Sequence, residues 1–171
     1  MFVSNTSTLI LLAKIGALQL FLENSPKIEI PKEVVEEINA RPDAFDAQMI
    51  NNEIRKRTIS IREADKNRTT EALQNFRLDR GEAAAYALFD KKKHAALLTD
   101  DGELIKLCRL ENIPFICAMA IIIRLYEKKK YSQKETLEKI ERLQAIGRYD
   151  KDIIHYYKEQ VMKNGNNFSS N

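Results

Sequence analysis

Acidic side chains lie at the ends of predicted strands and the starts of predicted helices in this chain. They are Glu37, Glu82 and the adjacent pair Asp100 and Asp101. Carboxylate oxygens are the ligands that hard cations such as Mg²⁺ and Mn²⁺ prefer, and the chain has only two histidines that could serve a softer metal. A cation held by carboxylates can activate a water and clamp a phosphate, so the acids point to phosphodiester hydrolysis with a 5′-phosphate and a 3′-hydroxyl as products.

Each acid also has a purely structural interpretation. Glu37 fits a solvated helix face, and Glu82 fits the first turn of a helix, where the dipole favours any acid. One of Asp100 and Asp101 could simply cap a helix. Two adjacent carboxylates, however, repel each other by about 1 kcal/mol when exposed, and this cost favours a nearby cation. The aspartate pair is therefore the strongest indication of a site.

The acids are distributed along a chain in which predicted strands alternate with predicted helices. Short apolar strands are predicted at residues 3–5, 27–30, 58–61, 95–99 and 113–117, and most of them run directly into a helix. This alternation predicts an α/β fold with three layers, α/β/α, around a mainly parallel sheet, followed by C-terminal helices. In such sheets the binding crevice lies outside the carboxyl ends of the strands, so Asn5 and the aspartate pair are expected to be neighbours.

Local signals set the expected helix boundaries. Thr6 or Ser7 is expected to cap a first helix that runs to Leu22, and Asp43 is expected to cap the helix after Pro42. The predicted strand at residues 58–61 alternates polar and apolar residues, which suits a sheet edge.

Length and composition indicate one compact domain. The chain has 171 residues, of which 44% are hydrophobic. We expect a main domain at residues 1–130, a helical hairpin packed on it at 131–163 and a disordered tail at 164–171. No apolar run reaches the roughly 18 to 20 residues that a membrane span requires, and no leader segment is apparent, so the expectation is a cytoplasmic protein with no membrane partner.

Four segments, in order, resemble the motifs of the PIN domains, metal-dependent ribonucleases that include toxins of the VapC type. The segment Val3–Ile10 resembles the opening motif, and Ile30–Ile38 resembles the second, in which Glu37 would be a metal ligand. Leu78–Leu88 resembles the third motif, with Glu82 as its acid, and Leu97–Asp101 resembles the fourth. Residues 113–149 resemble a subgroup that opens with Ser-Asn and carries an appended helical hairpin.

The resemblance implies a set of ligands, cofactors and partners. It implies Mg²⁺ or Mn²⁺, with Glu37, Glu82, Asp100 and Asp101 as catalytic acids and metal ligands. Asn5 would be a further ligand, and Thr6, Ser7 and Thr99 would support the site. The implied partners are RNA, single-stranded or structured, an antitoxin-like protein and a second copy of the chain.

One position departs from the family pattern. Asn5 stands where most active members carry an aspartate, and an amide offers a carbonyl oxygen to a metal but no charge. Weaker metal binding follows from this change, because most of the lost attraction is offset by a lower desolvation cost. Three functions therefore stay open: a ribonuclease, an impaired scaffold that binds RNA or a protein without cutting, and an α/β domain whose acids are only caps and surface.

Basic residues indicate where RNA would lie. The formal net charge is +3 and the isoelectric point is about 8.8, which is compatible with a nucleic-acid partner without requiring one. Arg77 and Arg80 lie just before Glu82 in the sequence, so they are predicted to contact backbone phosphates with the two-pronged geometry that suits a guanidinium group.

Overall fold

The computed structural model describes residues 1–147 and 149–168, with side chains as far as residue 163. The strands are β1 (Phe2–Ser4), β2 (Ile28–Pro31), β3 (Ile59–Arg62), β4 (Ala96–Leu98) and β5 (Phe115–Ile116). The helices are α1 (Thr6–Lys14), α2 (Leu18–Glu23), α3 (Lys32–Ile38), α4 (Phe45–Arg55), α5 (Lys66–Asn75), α6 (Arg80–Leu88), α7 (Gly102–Leu110), α8 (Ala118–Glu127), α9 (Gln133–Ile146) and α10 (Lys151–Phe168).

The five strands form one parallel sheet in the order β3-β2-β1-β4-β5. This confirms the predicted fold class and the predicted edge position of β3. Strand β1 lies at the centre, and its register with β4 places Ser4 opposite Leu98. The N–H of Asn5 donates to the carbonyl of Leu98 at 3.2 Å. The carboxyl ends of these two strands therefore lie side by side, as the alternation of strands and helices predicts.

One face of the sheet packs against helices with small side chains. Val3 and Leu97 are fully buried in a cluster that includes Ala83 and Ala85 of α6. Small residues let a helix approach a sheet closely, and α6 accordingly packs against both β1 and β2. This packing brings the start of α6 to the carboxyl ends of the central strands.

The first predicted helix is interrupted. The apolar stripe predicted one helix through Leu22, but α1 ends at Lys14 and α2 begins at Leu18. Gly16 between them has a φ of 69°, a left-handed conformation that glycine adopts without steric cost. The stripe continues across the break because both helices bury apolar residues, so hydrophobic pattern alone could not reveal it.

Three predicted helix starts were displaced by one or more residues. Asn5, rather than Thr6 or Ser7, occupies the N-cap position of α1, and Ala44 rather than Asp43 precedes α4. Helix α6 begins at Arg80, before the predicted start at Glu82, because Asp79 caps it. The last of these shifts changes the composition of the candidate site.

Contacts divide the chain into two compact units, Met1–Ala118 and Met119–Asn171, whereas the sequence suggested a boundary near residue 130. Within the second unit, Tyr126 of α8 donates a hydrogen bond to the carbonyl of Val161 in α10 at 3.3 Å. Helix α10 continues to Phe168, into the tail predicted to be disordered, and residues 169–171 of that tail lie outside the described residues. None of the helices in the described ranges combines the length and apolar character of a membrane span.

A buried acid in β2 is held by two side chains. Glu29 is 7% exposed; its carboxylate accepts hydrogen bonds from Arg62 Nε at 2.8 Å and His94 Nε2 at 3.0 Å. His94 Nδ1 accepts the N–H of Asp90, so the ring proton lies on Nε2. Burial alone would raise the pKa of Glu29, but the hydrogen bonds from His94 and Arg62 outweigh it and lower the pKa below its ordinary value of 4.5.

We therefore expect an acid-sensitive contribution from Glu29 to the free energy of unfolding. The pKa of Glu29 is lower in the folded protein than its ordinary value of 4.5. Its carboxylate therefore stabilises the fold at any pH above 4.5, and this contribution is lost as the pH falls through the pKa of the folded protein. Glu29→Gln should cost about 1 to 3 kcal/mol at pH 7 and progressively less below pH 4.5. Thermal unfolding between pH 3 and 7 measures this, with the exposed Glu23→Gln as control. If the stability of Glu29→Gln and that of the wild type changed equally with pH, Glu29 would not be the source of the acid-sensitive contribution.

Candidate active site

Asn5 is the centre of a hydrogen-bond network at the carboxyl ends of β1 and β4. Its side chain is 2% exposed. The amide nitrogen Nδ2 donates to Thr99 Oγ1 at 3.0 Å, and Oδ1 accepts from Ser7 Oγ at 2.8 Å. Both polar atoms of Asn5 are thus engaged by hydroxyl groups of the protein.

The same two hydroxyl groups hold the backbone of the aspartate pair. The N–H of Asp100 donates to Ser7 Oγ at 3.0 Å, and the N–H of Asp101 donates to Thr99 Oγ1 at 3.1 Å. The network therefore runs from Asn5 through each hydroxyl to one aspartate. Ser7 and Thr99 act on the site through the backbone at residues 100 and 101.

The two adjacent aspartates have different partners. The carboxylate of Asp100 accepts from Thr8 Oγ1 at 2.6 Å and from the N–H of Ala118 at 3.1 and 2.9 Å. Asp101 Oδ1 caps α7, accepting the N–H groups of Glu103 and Leu104 at 2.8 and 2.9 Å. Asp100 is thus held by Thr8 and Ala118, and the carboxylate of Asp101 lies close enough to Glu82 to raise its pKa.

Glu82 is a half-buried acid with acidic neighbours. It forms a reciprocal capping box with Asp79: its own N–H donates to Asp79 Oδ1 at 2.8 Å, and its Oε2 accepts the N–H of Asp79 at 2.9 Å. Burial and, after it, the negative charges of Asp79 and Asp101 together raise the pKa of Glu82 to about 7, against the lowering effect of the Asp79 N–H. Bringing a cation to this position would relieve that repulsion.

Glu37 reaches the same helical turn from α3. Its Oε1 accepts the N–H of Gly81 at 2.8 Å, and its Oε2 accepts a hydrogen bond from the Thr6 hydroxyl. Burial raises the pKa of Glu37; the Thr6 hydrogen bond opposes this, and the charge of Asp79 adds to the increase. Thr6 and Gly81 therefore hold Glu37 beside the start of α6.

Gly81 makes this approach sterically feasible. A Cβ at position 81 would lie 2.3 to 2.5 Å from the carboxylate atoms of Glu37, far inside van der Waals contact. Because the carboxylate is the end of a flexible side chain, it can move away without disturbing the helix. The absence of a side chain at residue 81 is thus required for the contact with Glu37 and not for the fold of α6.

We predict that Gly81→Ala displaces Glu37 while the protein stays folded. Losing the Glu37 contact lowers the free energy of unfolding, but alanine favours a helix over glycine by about 1 kcal/mol. Because the two effects oppose each other, the free energy of unfolding should change little. A crystal structure of the variant should show Glu37 Oε1 out of hydrogen-bond reach of the N–H of residue 81. Gly102→Ala is the matched control, because a Cβ at Gly102 has open space around it in the first turn of α7. Retention of the Glu37 contact in Gly81→Ala would contradict the prediction.

The donor chemistry of these acids fits a hard divalent cation. In the described part of the chain, no group of three or more histidine, cysteine, aspartate or glutamate side chains is assembled to enclose a metal ion. Mg²⁺, however, is usually held by one or two carboxylates and completes its shell with water and substrate phosphate. Glu82 and Asp101 supply such a pair, whereas Asn5 and Asp100 are engaged with other protein groups.

Sequence analysis missed one residue of this arrangement. Asp79 lies against both Glu82 and Glu37, yet it was not among the predicted site residues. The signal was present in the sequence, because an aspartate followed three positions later by Glu82, before an alanine-rich run, is a capping-box pattern.

Other polar features lie around or away from the acids. Arg77 and Arg80 are exposed, and Arg80 Nη2 lies 3.8 Å from Glu36 Oε2, also exposed. A cavity of about 590 Å³ has Arg68, Tyr86 and Glu111 in its lining. It includes none of the predicted site residues, so cavity size does not mark the acidic site.

Comparison with known proteins agrees with the fold. The family model DUF3368, described as a PIN domain, matches residues 1–161. No match was found among curated proteins. PIN domains are in general nucleases that bind RNA and use divalent metal ions.

Proposed function

We propose that this chain, which belongs to the DUF3368 family of PIN domains, is a divalent-metal-dependent endoribonuclease. The observation that carries the proposal is the approach of Glu82 and Asp101 at the carboxyl ends of the central strands. Glu37 joins them on the first turn of α6 through its bond to Gly81. We infer that Glu82, Asp101 and Glu37, which come from distant parts of the sequence, face the edge where a parallel sheet binds its ligands.

The roles of the residues follow from their contacts. When bound, Mg²⁺ or Mn²⁺ would supply Lewis-acid activation of water and stabilise charge on the phosphate. Glu82 and Asp101 would hold the ion, and Glu37 would orient the attacking water from the Gly81 side. The water oxygen would bond to phosphorus and lose a proton as the bond to the ribose 3′ oxygen breaks, and the 3′ oxygen would take up a proton from solvent and leave as a hydroxyl. Asn5, Ser7 and Thr99 would keep the backbone of Asp100 and Asp101 in place.

Cleavage of a labelled single-stranded RNA tests the proposal. Purified protein with Mn²⁺ should produce fragments with 5′-phosphate and 3′-hydroxyl ends, and a chelator should stop the reaction. Cleavage that continues in the presence of the chelator, or fragments that end in a 2′,3′-cyclic phosphate, would contradict a metal-dependent mechanism of this type.

Arg77 and Arg80 are proposed to contact RNA phosphates beside the acids. If each neutralises one phosphate, Arg77→Ala and Arg80→Ala should each weaken RNA binding and reduce the slope of log affinity against log salt by about 0.7. Titration of labelled RNA at several salt concentrations measures both effects. Arg55→Ala, at the last turn of α4, is the control and should keep the wild-type slope. A salt-independent affinity would contradict the proposed contacts.

The finer biological role rests on the family resemblance. The proposal extends to a cytoplasmic toxin of a toxin–antitoxin pair that forms a homodimer and is inhibited by a small antitoxin-like protein. A mass measurement in solution would test the dimer, and arrest of growth on expression would test the toxin.

An impaired scaffold is the second candidate, and Asn5 favours it. Its Oδ1 and Nδ2 both bond to protein hydroxyl groups, and it brings no charge to a cation. In that case the protein would bind RNA or a protein partner without cutting. The two candidates differ in whether the carboxylates of Glu82 and Asp101 suffice for metal binding.

A further inference from the structure

Asp79 has a double connection to Glu82, the capping box at the start of α6. Its Oδ1 accepts the backbone N–H of Glu82 at 2.8 Å, and its own N–H donates to Glu82 Oε2 at 2.9 Å. The side chain of Asp79 thus holds the main chain of Glu82, and the backbone N–H of residue 79 holds its carboxylate. A glutamate side chain has several rotatable bonds, and these contacts select one arrangement of them.

The first turn of α6 fixes a second acid at the same time. The N–H of Gly81, two residues after Asp79, donates to Glu37 Oε1 at 2.8 Å. Since Asp79 caps the turn that presents this N–H, its loss would loosen the contact to Glu37 as well. The segment from Asp79 to Glu82 thus orients two of the three acids.

We propose that Asp79 is a positioning residue that, through its capping box with Glu82 and the turn it begins, sets the affinity of the acidic site for its divalent cation. The inference rests on the proposed function. Oε2 of Glu82 is committed to the Asp79 N–H, which leaves Oε1 to serve a cation beside Asp101. Asp79 itself touches neither substrate nor reacting atoms in this role.

Ordinary helix capping is the competing explanation, and the chain offers a matched comparison. Asp65 caps α5 through the same side-chain contact, accepting the N–H of Arg68 at 2.9 Å but without a capping box, and it is exposed like Asp79. If Asp79 were only a cap, Asp79→Ala and Asp65→Ala should have the same effects. A positioning role requires an additional effect of Asp79→Ala on metal binding.

The test uses Asp79→Ala, Asp79→Asn and Asp65→Ala in the full chain. Mn²⁺ affinity, followed by water proton relaxation, should fall about 10- to 100-fold in Asp79→Ala, the range typical of residues that orient metal ligands. Asp79→Asn keeps an acceptor for the Glu82 N–H, so it should remain within about fivefold of wild type. Asp65→Ala should bind Mn²⁺ like the wild type.

A crystal structure of metal-free Asp79→Ala gives an independent result. Residue 79 keeps its backbone N–H in this variant, so the carboxylate can move only if loss of the cap loosens the turn. We expect this loosening to give the Glu82 carboxylate a different rotamer and to shift Glu37 from Gly81. Wild-type Mn²⁺ affinity in Asp79→Ala, or an unchanged Glu82 rotamer, would overturn the inference. If the wild type itself bound no Mn²⁺, the proposed function would fail, and the Glu82 rotamer would still decide whether Asp79 positions that side chain.

Discussion

Replacing Glu82 with glutamine is expected to stabilise the metal-free protein and to remove its stabilisation by Mn²⁺. At pH 8 the Glu82 carboxyl is ionised, because its pKa is about 7, and it bears the cost of burial and of repulsion from Asp79 and Asp101. The raised pKa implies a destabilisation that develops as the pH rises from 4.5 through 7. Glutamine removes it, so the metal-free free energy of unfolding should rise by on the order of 1 kcal/mol.

The loss of metal binding should be larger than this gain. Removing one of two charged ligands should weaken Mn²⁺ binding, and cleavage should fall by about 10²- to 10³-fold, as for the loss of a main electrostatic group. Thermal unfolding at pH 8 with and without Mn²⁺ measures both the gain in metal-free stability and the loss of stabilisation by Mn²⁺. Glu36→Gln, the exposed neighbour of Glu37, is the control and should behave like wild type. A Glu82→Gln protein that Mn²⁺ still stabilises fully would contradict the assigned role.

Asn5→Asp is expected to destabilise the metal-free protein and to strengthen Mn²⁺ binding, the opposite of both effects expected for Glu82→Gln. Residue 5 is 2% exposed, so an added negative charge there is desolvated and lies near Asp101, and the metal-free protein should be less stable. With Mn²⁺ present the same charge should strengthen binding, by about tenfold or more. The hydrogen bonds can survive the change, because the Thr99 hydroxyl can donate to a carboxylate at position 5 while accepting the N–H of Asp101.

Asn39→Asp provides the comparison for Asn5→Asp. Asn39 is exposed and its Oδ1 accepts from Asn51 Nδ2 at 2.8 Å, so the substitution adds a charge and keeps the hydrogen bond. Its unfolding and Mn²⁺ affinity should stay near those of wild type. Equal Mn²⁺ affinity in Asn5→Asp and wild type would mean that residue 5 lies outside the reach of the ion.

The topology was predictable because strand and helix patterns are local. The parallel sheet and the closeness of Asn5 to the aspartate pair follow from the alternation of elements. The pairing of β1 with β4, which places Asn5 next to Leu98, does not follow from that alternation alone. The break at Gly16 was not predictable from hydrophobic pattern, since the stripe of α1 continues into α2. The length of α10 was also missed, because a composition rich in asparagine and glycine argues against a helix that extends to Phe168.

The identity of the candidate acids was predictable, but their orientation was not. Adjacent residues at a strand–helix junction point in different directions, so Asp100 meets Ala118 while Asp101 approaches Glu82. Sequence alone treats the two as equivalent. Asp79 was overlooked because the motif Leu78–Leu88, which contains it, indicates Glu82 as its acid.

If Glu82 and Asp101 jointly hold a catalytic cation, Mn²⁺-dependent RNA cleavage by the wild type and by Asp101→Asn is the decisive measurement. Asparagine keeps the cap of α7, so the variant should fold. We expect the wild type to cleave RNA and leave 3′-hydroxyl ends, and the folded variant to lose this cleavage. Equal cleavage by both proteins would contradict it, and so would a silent wild type beside an active Asn5→Asp, which would identify an impaired scaffold.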